Sequence, residues 1–110
     1  ASSSEPEKIA LSLTTTGLAP LFEGRLYSAS QVARGKPFPD LFFHAAAQMG
    51  IEPGNCVVVE DSPYGAAAAR AAGMAVLGYT GSGFADKLTD EGAEIFDTMA
   101  DLPGLLGFPP

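Results

Sequence analysis

Val57-Val58-Val59 is an unbroken β-branched run between Cys56 and two acids, Glu60 and Asp61. Such a run suits a short strand covered on both faces of a parallel sheet. Ser62 is a good N-cap and Pro63 a good first helical residue, so the chain turns into a helix directly after Asp61. That helix is predicted over residues 63–72, where Ala66, Ala67, Ala68, Ala69, Ala71 and Ala72 favour helix and allow close approach to a sheet. Gly73 closes it, and Met74-Ala75-Val76-Leu77-Gly78 is the next apolar run. Strand, helix and strand over residues 57–77 predict one right-handed βαβ unit.

Upstream, Leu41, Phe42, Ala45, Ala46 and Met49 form an apolar stripe at helical spacing, which predicts a helix from residue 39 or 40 to residue 49, ended by Gly50. His44 lies off the stripe and reads as a surface residue. An earlier helix is predicted over residues 5–16. Ser4 and Glu7 have capping-box spacing, Pro6 sits in the first turn, Ile9, Ala10 and Leu13 share a face, and Gly17 is the stop. Between these helices, residues 18–22 read as a turn, 25–28 as a short strand and 31–39 as a loop. After the βαβ unit come a loop over 78–83, a helix over 84–91, a strand over 94–96, a turn or helix over 99–106 and a tail over 108–110. The fold class is α/β with a parallel sheet.

A chain of 110 residues with 46% hydrophobic content supports one domain, residues 1–110, with its own core. The net charge is −7, with six basic residues against thirteen acidic ones, which excludes nucleic acid or an anionic membrane as the main partner. A single phosphate held by one Lys remains compatible. No segment reaches the roughly 18 apolar residues of a membrane span, and there is no basic-plus-apolar leader. The one cysteine, Cys56, cannot form an internal disulfide and reads as a buried thiol of a reducing cytoplasm. The glycine-rich 78–83 loop matches neither the dinucleotide nor the nucleotide-hydrolase phosphate loop, because Lys87 does not follow a glycine at the needed spacing. Ala1 stands where an initiator Met is usual, which suggests a chain that begins mid-protein.

Three stretches carry candidate chemistry. Glu60 and Asp61 stand at the carboxyl end of a strand, where ligands bind in open α/β sheets. Adjacent carboxylates repel, and a hard cation such as Mg²⁺ relieves them, although a solvated acidic turn accounts for the pair equally well. Ser2, Ser3 and Ser4 precede a helix and read either as simple capping or as an anion site. Lys36 lies in Gly35-Lys36-Pro37-Phe38-Pro39-Asp40, where two prolines stiffen the loop and would hold an ammonium at a fixed point.

Ser2, the Gly35-Lys36-Pro37-x-Pro39-Asp40 stretch and Val58-Val59-Glu60-Asp61-Ser62-Pro63-x-Gly65 together resemble the haloacid dehalogenase-like (HAD) phosphohydrolases, in their β-phosphoglucomutase-like branch. The resemblance runs from Ala1 to about Leu106 and covers the second half of such an enzyme. It implies a Rossmann-like core and gives Lys36 and Ser2 catalytic roles. Ser2, Ser3 and Lys36 would bind phosphate, and Glu60 and Asp61 would hold Mg²⁺, with Asp61 the direct ligand. The substrate would be a small phosphorylated metabolite, with hydrolysis favoured over mutase action. The family's nucleophile motif, Asp-x-Asp, occurs nowhere in the chain, and the cap that selects substrate is also missing. The expectation is therefore a C-terminal portion, inactive alone, that needs the N-terminal half of the fold as partner and lacks a cooperative thermal transition without it. A non-catalytic metal- or phosphate-binding module is the alternative.

Overall fold

The computed structural model describes residues 1–109. Helix α1 spans Pro6–Thr16, α2 Asp40–Met49, α3 Pro63–Ala71, α4 Ala85–Asp90 and α5 Leu102–Leu105, joined in places by single 3-10 turns. Strands β1 (Val57–Glu60), β2 (Ala75–Tyr79) and β3 (Glu94–Phe96) form a parallel sheet in the order β1-β2-β3. The register sets Val58 beside Val76 and Glu60 beside Gly78. The predicted strand–helix–strand unit is thus present, with α3 packed on β1 and β2.

The core lies between one face of the sheet and α2, α3 and α4. Ala66, Ala68, Ala69 and Ala72 are buried with Val58, Met74 and Val76. Their small side chains let α3 sit close to the strands, while Phe42 and Ala46 of α2 and Leu88 of α4 complete the cluster. Gly78 makes the same close approach possible on β2, since a Cβ there would lie 3.2 Å from Ala93 Cβ and 3.3 Å from Leu88.

Several expectations change. Strand β1 is not covered on both faces: Val58 is buried, whereas Val57 and Val59 are 45% and 40% exposed. Side chains alternate along a strand, so Val57 and Val59 point away from the core that takes Val58, and β1 is also an edge strand with one side unpaired. Along the free edge of β1 runs a cleft of about 250 Å³, bounded by Tyr27, α2 and β1. Residues 25–28 do not form a strand. They make one parallel bridge, in which the Ser2 amide donates to Tyr27 O and the Ala29 amide to Ser2 O, each at 2.9 Å. The facing segment is extended for too few residues to build a ladder before the chain turns into α1.

The capping box at Ser4 and Glu7 does not form either. Glu5 is the N-cap and makes no side-chain bond, because Ser4 is drawn away: its amide donates to Ser2 Oγ at 3.1 Å and its carbonyl accepts Ser28 Oγ–H at 2.7 Å. A capping box forms instead at Ser28 and Gln31. No residue of α1 is buried, so Ile9, Ala10 and Leu13 contribute only partial cover. Met49 leaves the stripe exposed, and His44 is half-buried with its ring edge-on to Tyr27 at 5.7 Å. Cys56 is half-buried just ahead of β1, its thiol directed at Glu52 O at 3.5 Å. Of the predicted tail, Pro110 lies outside the described residues. No helix among the described residues is long and apolar enough to cross a membrane.

Strand β2 has a neighbour on each side and β1 on one only. Amides of β1 are expected to exchange with solvent faster than those of β2, read by hydrogen-exchange mass spectrometry. Equal protection would show that the open edge is filled. Val57→Lys should lower self-association in sedimentation velocity, because a charge on an open edge discourages strand pairing.

Candidate active site

Strands that run parallel end together. Because Glu60 lies beside Gly78, the turns after β1 and β2 leave the sheet at one edge. The loop before α2 reaches the same edge. Its frame is Pro37 and Pro39, a Phe38 amide bond to Gly35 O of 3.0 Å, and the Arg34 guanidinium, which stacks 4.4 Å over the Phe38 ring and bonds Asp40 at 3.3 Å. The Lys36–Pro37 peptide is cis.

From this frame the Lys36 ammonium donates to Glu60 Oε1 at 2.5 Å and lies 3.4 Å from the Ala1 carbonyl oxygen. Its charge also sits 5.2 Å from the Phe42 ring centre. The Lys36 and Glu60 side chains are 12% and 10% exposed. Removing one partner of such a part-buried pair costs stability, because the other charge is left without its counter-ion. Gly65 makes room for the pair: a Cβ at that position would overlap the Glu60 carboxylate. The Ser62 hydroxyl caps α3 by accepting the Tyr64 amide at 3.1 Å, which fixes the turn just past the acids. Partial burial lowers the pKa of the Ala1 amine below its ordinary 8.0; the Lys36 charge adds to this and Glu60 opposes it.

Glu60 and Asp61 do not turn to the same partner. Successive side chains at a strand end point to opposite sides. Glu60 faces Lys36, while the exposed Asp61 accepts the Ser82 hydroxyl on Oδ2 at 2.6 Å. Even so, Ser2, Ser3, Lys36, Glu60 and Asp61 all line one cleft of about 400 Å³, together with Ala1, Val59, Tyr79 and Met99. Sequence reasoning singled out the first five but missed Ser82 and the spatial role of Gly65. Gly65 had a signal, a glycine four residues after Asp61 in the strand–turn–helix stretch. Ser82 had none, since only the β1–β2 register brings it near.

The donor set fits Mg²⁺ in part. No cluster of three or more His, Cys, Asp or Glu side chains that could hold a metal occurs among the described residues. Mg²⁺ needs no such cage: it keeps several waters and is held by one or two carboxylates plus substrate phosphate. Asp61 offers a hard oxygen on the cleft, and Lys36 neutralises Glu60.

The structure is thus an α/β protein whose parallel sheet carries an ammonium, two carboxylates and serine hydroxyls around one cleft at its carboxyl edge, the place where open α/β sheets usually bind ligands. A family profile of haloacid dehalogenase-like hydrolases matches residues 1–73. The chain belongs to that family. It superposes with a TM-score of 0.88 on a conserved haloacid dehalogenase-like protein from Agrobacterium tumefaciens str. C58, at 46% identity over 94% of this chain and 50% of that one. A HAD family hydrolase from Deinococcus radiodurans R1, solved with bound phosphate and sodium, gives the same TM-score at 40% identity, over 94% of this chain and 48% of that one. A probable pseudouridine-5'-phosphatase of Drosophila melanogaster is 36% identical over 85 residues, 74% of this chain and 37% of the relative. The chain thus spans about half the length of these solved structures and 25% to 37% of the first curated relatives.

Gly65→Ala should push the Glu60 carboxylate off Lys36. In competitive acylation read by mass spectrometry, Lys36 of the unsubstituted chain should react more slowly than the exposed Lys8. In Gly65→Ala its rate should rise towards that of Lys8.

Proposed function

We propose that this chain supplies the phosphate- and metal-holding part of a Mg²⁺-dependent phosphatase acting on a small phosphorylated metabolite. The supporting observation is the single cleft lined by Ser2, Ser3, Lys36, Glu60 and Asp61. Its volume, about 400 Å³, suits a small molecule. The Drosophila relative's name as a phosphatase and the phosphate bound in the Deinococcus protein support the same substrate chemistry.

Phosphoryl transfer spreads negative charge over the equatorial oxygens, so positioned charge and donors do most of the catalysis. An ammonium carries three donors. Glu60 takes one and the Ala1 carbonyl oxygen a second, which fixes the position of Lys36 while leaving one donor for a phosphate oxygen. The Ser2 and Ser3 hydroxyls supply neutral donors on the neighbouring wall of the cleft. Asp61 would hold Mg²⁺, with Glu60 on the same cleft but engaged by Lys36, and the bound ion would supply positive charge against the phosphoryl oxygens.

The attacking carboxylate has to come from outside these residues, since the chain contains no Asp-x-Asp. In this reading the partner is the N-terminal half of the same fold, an apolar strand of which would lie against the open edge of β1. The half-buried Cys56 thiol suits a reducing cytoplasm.

The test has two arms. Titrated with orthophosphate, the chain should bind, and Lys36→Ala should weaken binding about 10- to 100-fold, as expected for a lost hydrogen bond from a charged group. Unchanged affinity would remove Lys36 from the phosphate site. Assayed for hydrolysis of p-nitrophenyl phosphate with Mg²⁺, the chain alone should show no turnover above background. Addition of an N-terminal half carrying Asp-x-Asp should restore it. Mg²⁺-dependent turnover by the chain alone would refute the missing-nucleophile reading.

A further inference from the structure

The Ser82 hydroxyl is 21 residues from Asp61 in sequence and 2.6 Å from its Oδ2. It stands outside the stretch matched by the family profile, residues 1–73. We propose that Ser82 is a positioning residue for the Asp61 carboxylate, holding one oxygen so that the other is presented to a divalent cation. The inference rests on the reading of Asp61 as the metal-holding acid.

The geometry is built rather than incidental. Ser82 ends a 3-10 turn, Thr80–Ser82, closed by the Gly83 amide on Thr80 O at 2.9 Å. The turn is pinned to β3 by the Thr80 hydroxyl, which donates to Phe96 O at 3.3 Å. Tyr79 packs its ring on Phe96 at 5.6 Å and lies against Gly81, where a Cβ would overlap the ring. The loop therefore has a rigid floor, and its hydroxyl arrives at a defined place. Asp61 is otherwise exposed, so without Ser82 its carboxylate would rotate freely in solvent. With Oδ2 engaged, Oδ1 carries no side-chain or backbone hydrogen bond among the described residues. A carboxylate held through one oxygen and open through the other is a ready monodentate ligand for a small octahedral cation. Hydrogen bonds of this kind behind a metal ligand are worth about 10- to 100-fold in metal affinity.

The experiment is calorimetric titration of the full chain with Mg²⁺ alone, in the unsubstituted form and in Ser82→Ala, Ser82→Thr and Asp61→Asn. Ser82→Ala should weaken binding about 10- to 100-fold, and Ser82→Thr, which keeps the hydroxyl, should restore it. Asp61→Asn should abolish it, and the hydrogen-exchange pattern of β1 and β2 should be the same in all four. If Ser82→Ala binds as tightly as the unsubstituted chain while Asp61→Asn does not bind, the role of Ser82 is overturned and the metal reading stands. If Asp61→Asn binds unchanged, or the unsubstituted chain does not bind, both fall. Equal loss in Ser82→Ala and Ser82→Thr with faster exchange in β2 would make Ser82 a structural residue only and overturn the proposal.

Discussion

A single ion pair, Lys36 to Glu60, joins the two parts of this molecule at the edge where its chemistry converges. On one side stand the Ser2–Ser28 bridge and the proline-framed loop before α2; on the other stands β1. The strands between them do not close into one sheet, since β1 has β2 on one side and an open cleft on the other. Apolar packing of α2 against α3 holds the bodies together but is indifferent to small slides. The ion pair is directional and nearly buried, so it sets how the serine hydroxyls and Asp61 stand relative to each other. Its position depends in turn on a missing side chain, at Gly65, and on the stiffness that two prolines give the lysine loop.

The same arrangement explains how a pair of adjacent acids serves two purposes. Alternation at the end of a strand sends Glu60 to the lysine and Asp61 towards the β2 loop. One carboxylate is spent on fixing a cation that belongs to the protein. The other stays exposed on the cleft, with only the Ser82 hydroxyl on its Oδ2. Two acids facing each other would have repelled and needed a metal for the local fold; here the fold itself carries a lysine for one of them.

The open edge of β1 is the complementary constraint. Val57 and Val59 are apolar side chains on an edge strand that pairs with β2 on one side only. A protein whose fold ended there would ordinarily blunt such an edge with charge or a proline, and β1 carries neither before Glu60. In relatives of similar fold, the chain accounts for about half of the structure.

Local sequence determined the helices and strands whose residues carry their own signals: the alanine face of α3, the stripe of α2, the valine run of β1, and the glycines that end α1 and α2. It also marked Ser2, Ser3, Lys36, Glu60 and Asp61, because side-chain chemistry and stiff backbone are properties of short stretches. It misjudged residues 25–28 and the cap of α1, since a strand needs a partner of its own length, and the backbone of Ser4 is engaged by Ser2 and by the distant Ser28. Only the tertiary structure decided that Glu60 and Asp61 part company, that Ser82 reaches Asp61 from the next strand, and that Val57 and Val59 stay uncovered. Those outcomes follow from register and from strand order, which are set by contacts between segments far apart in the chain.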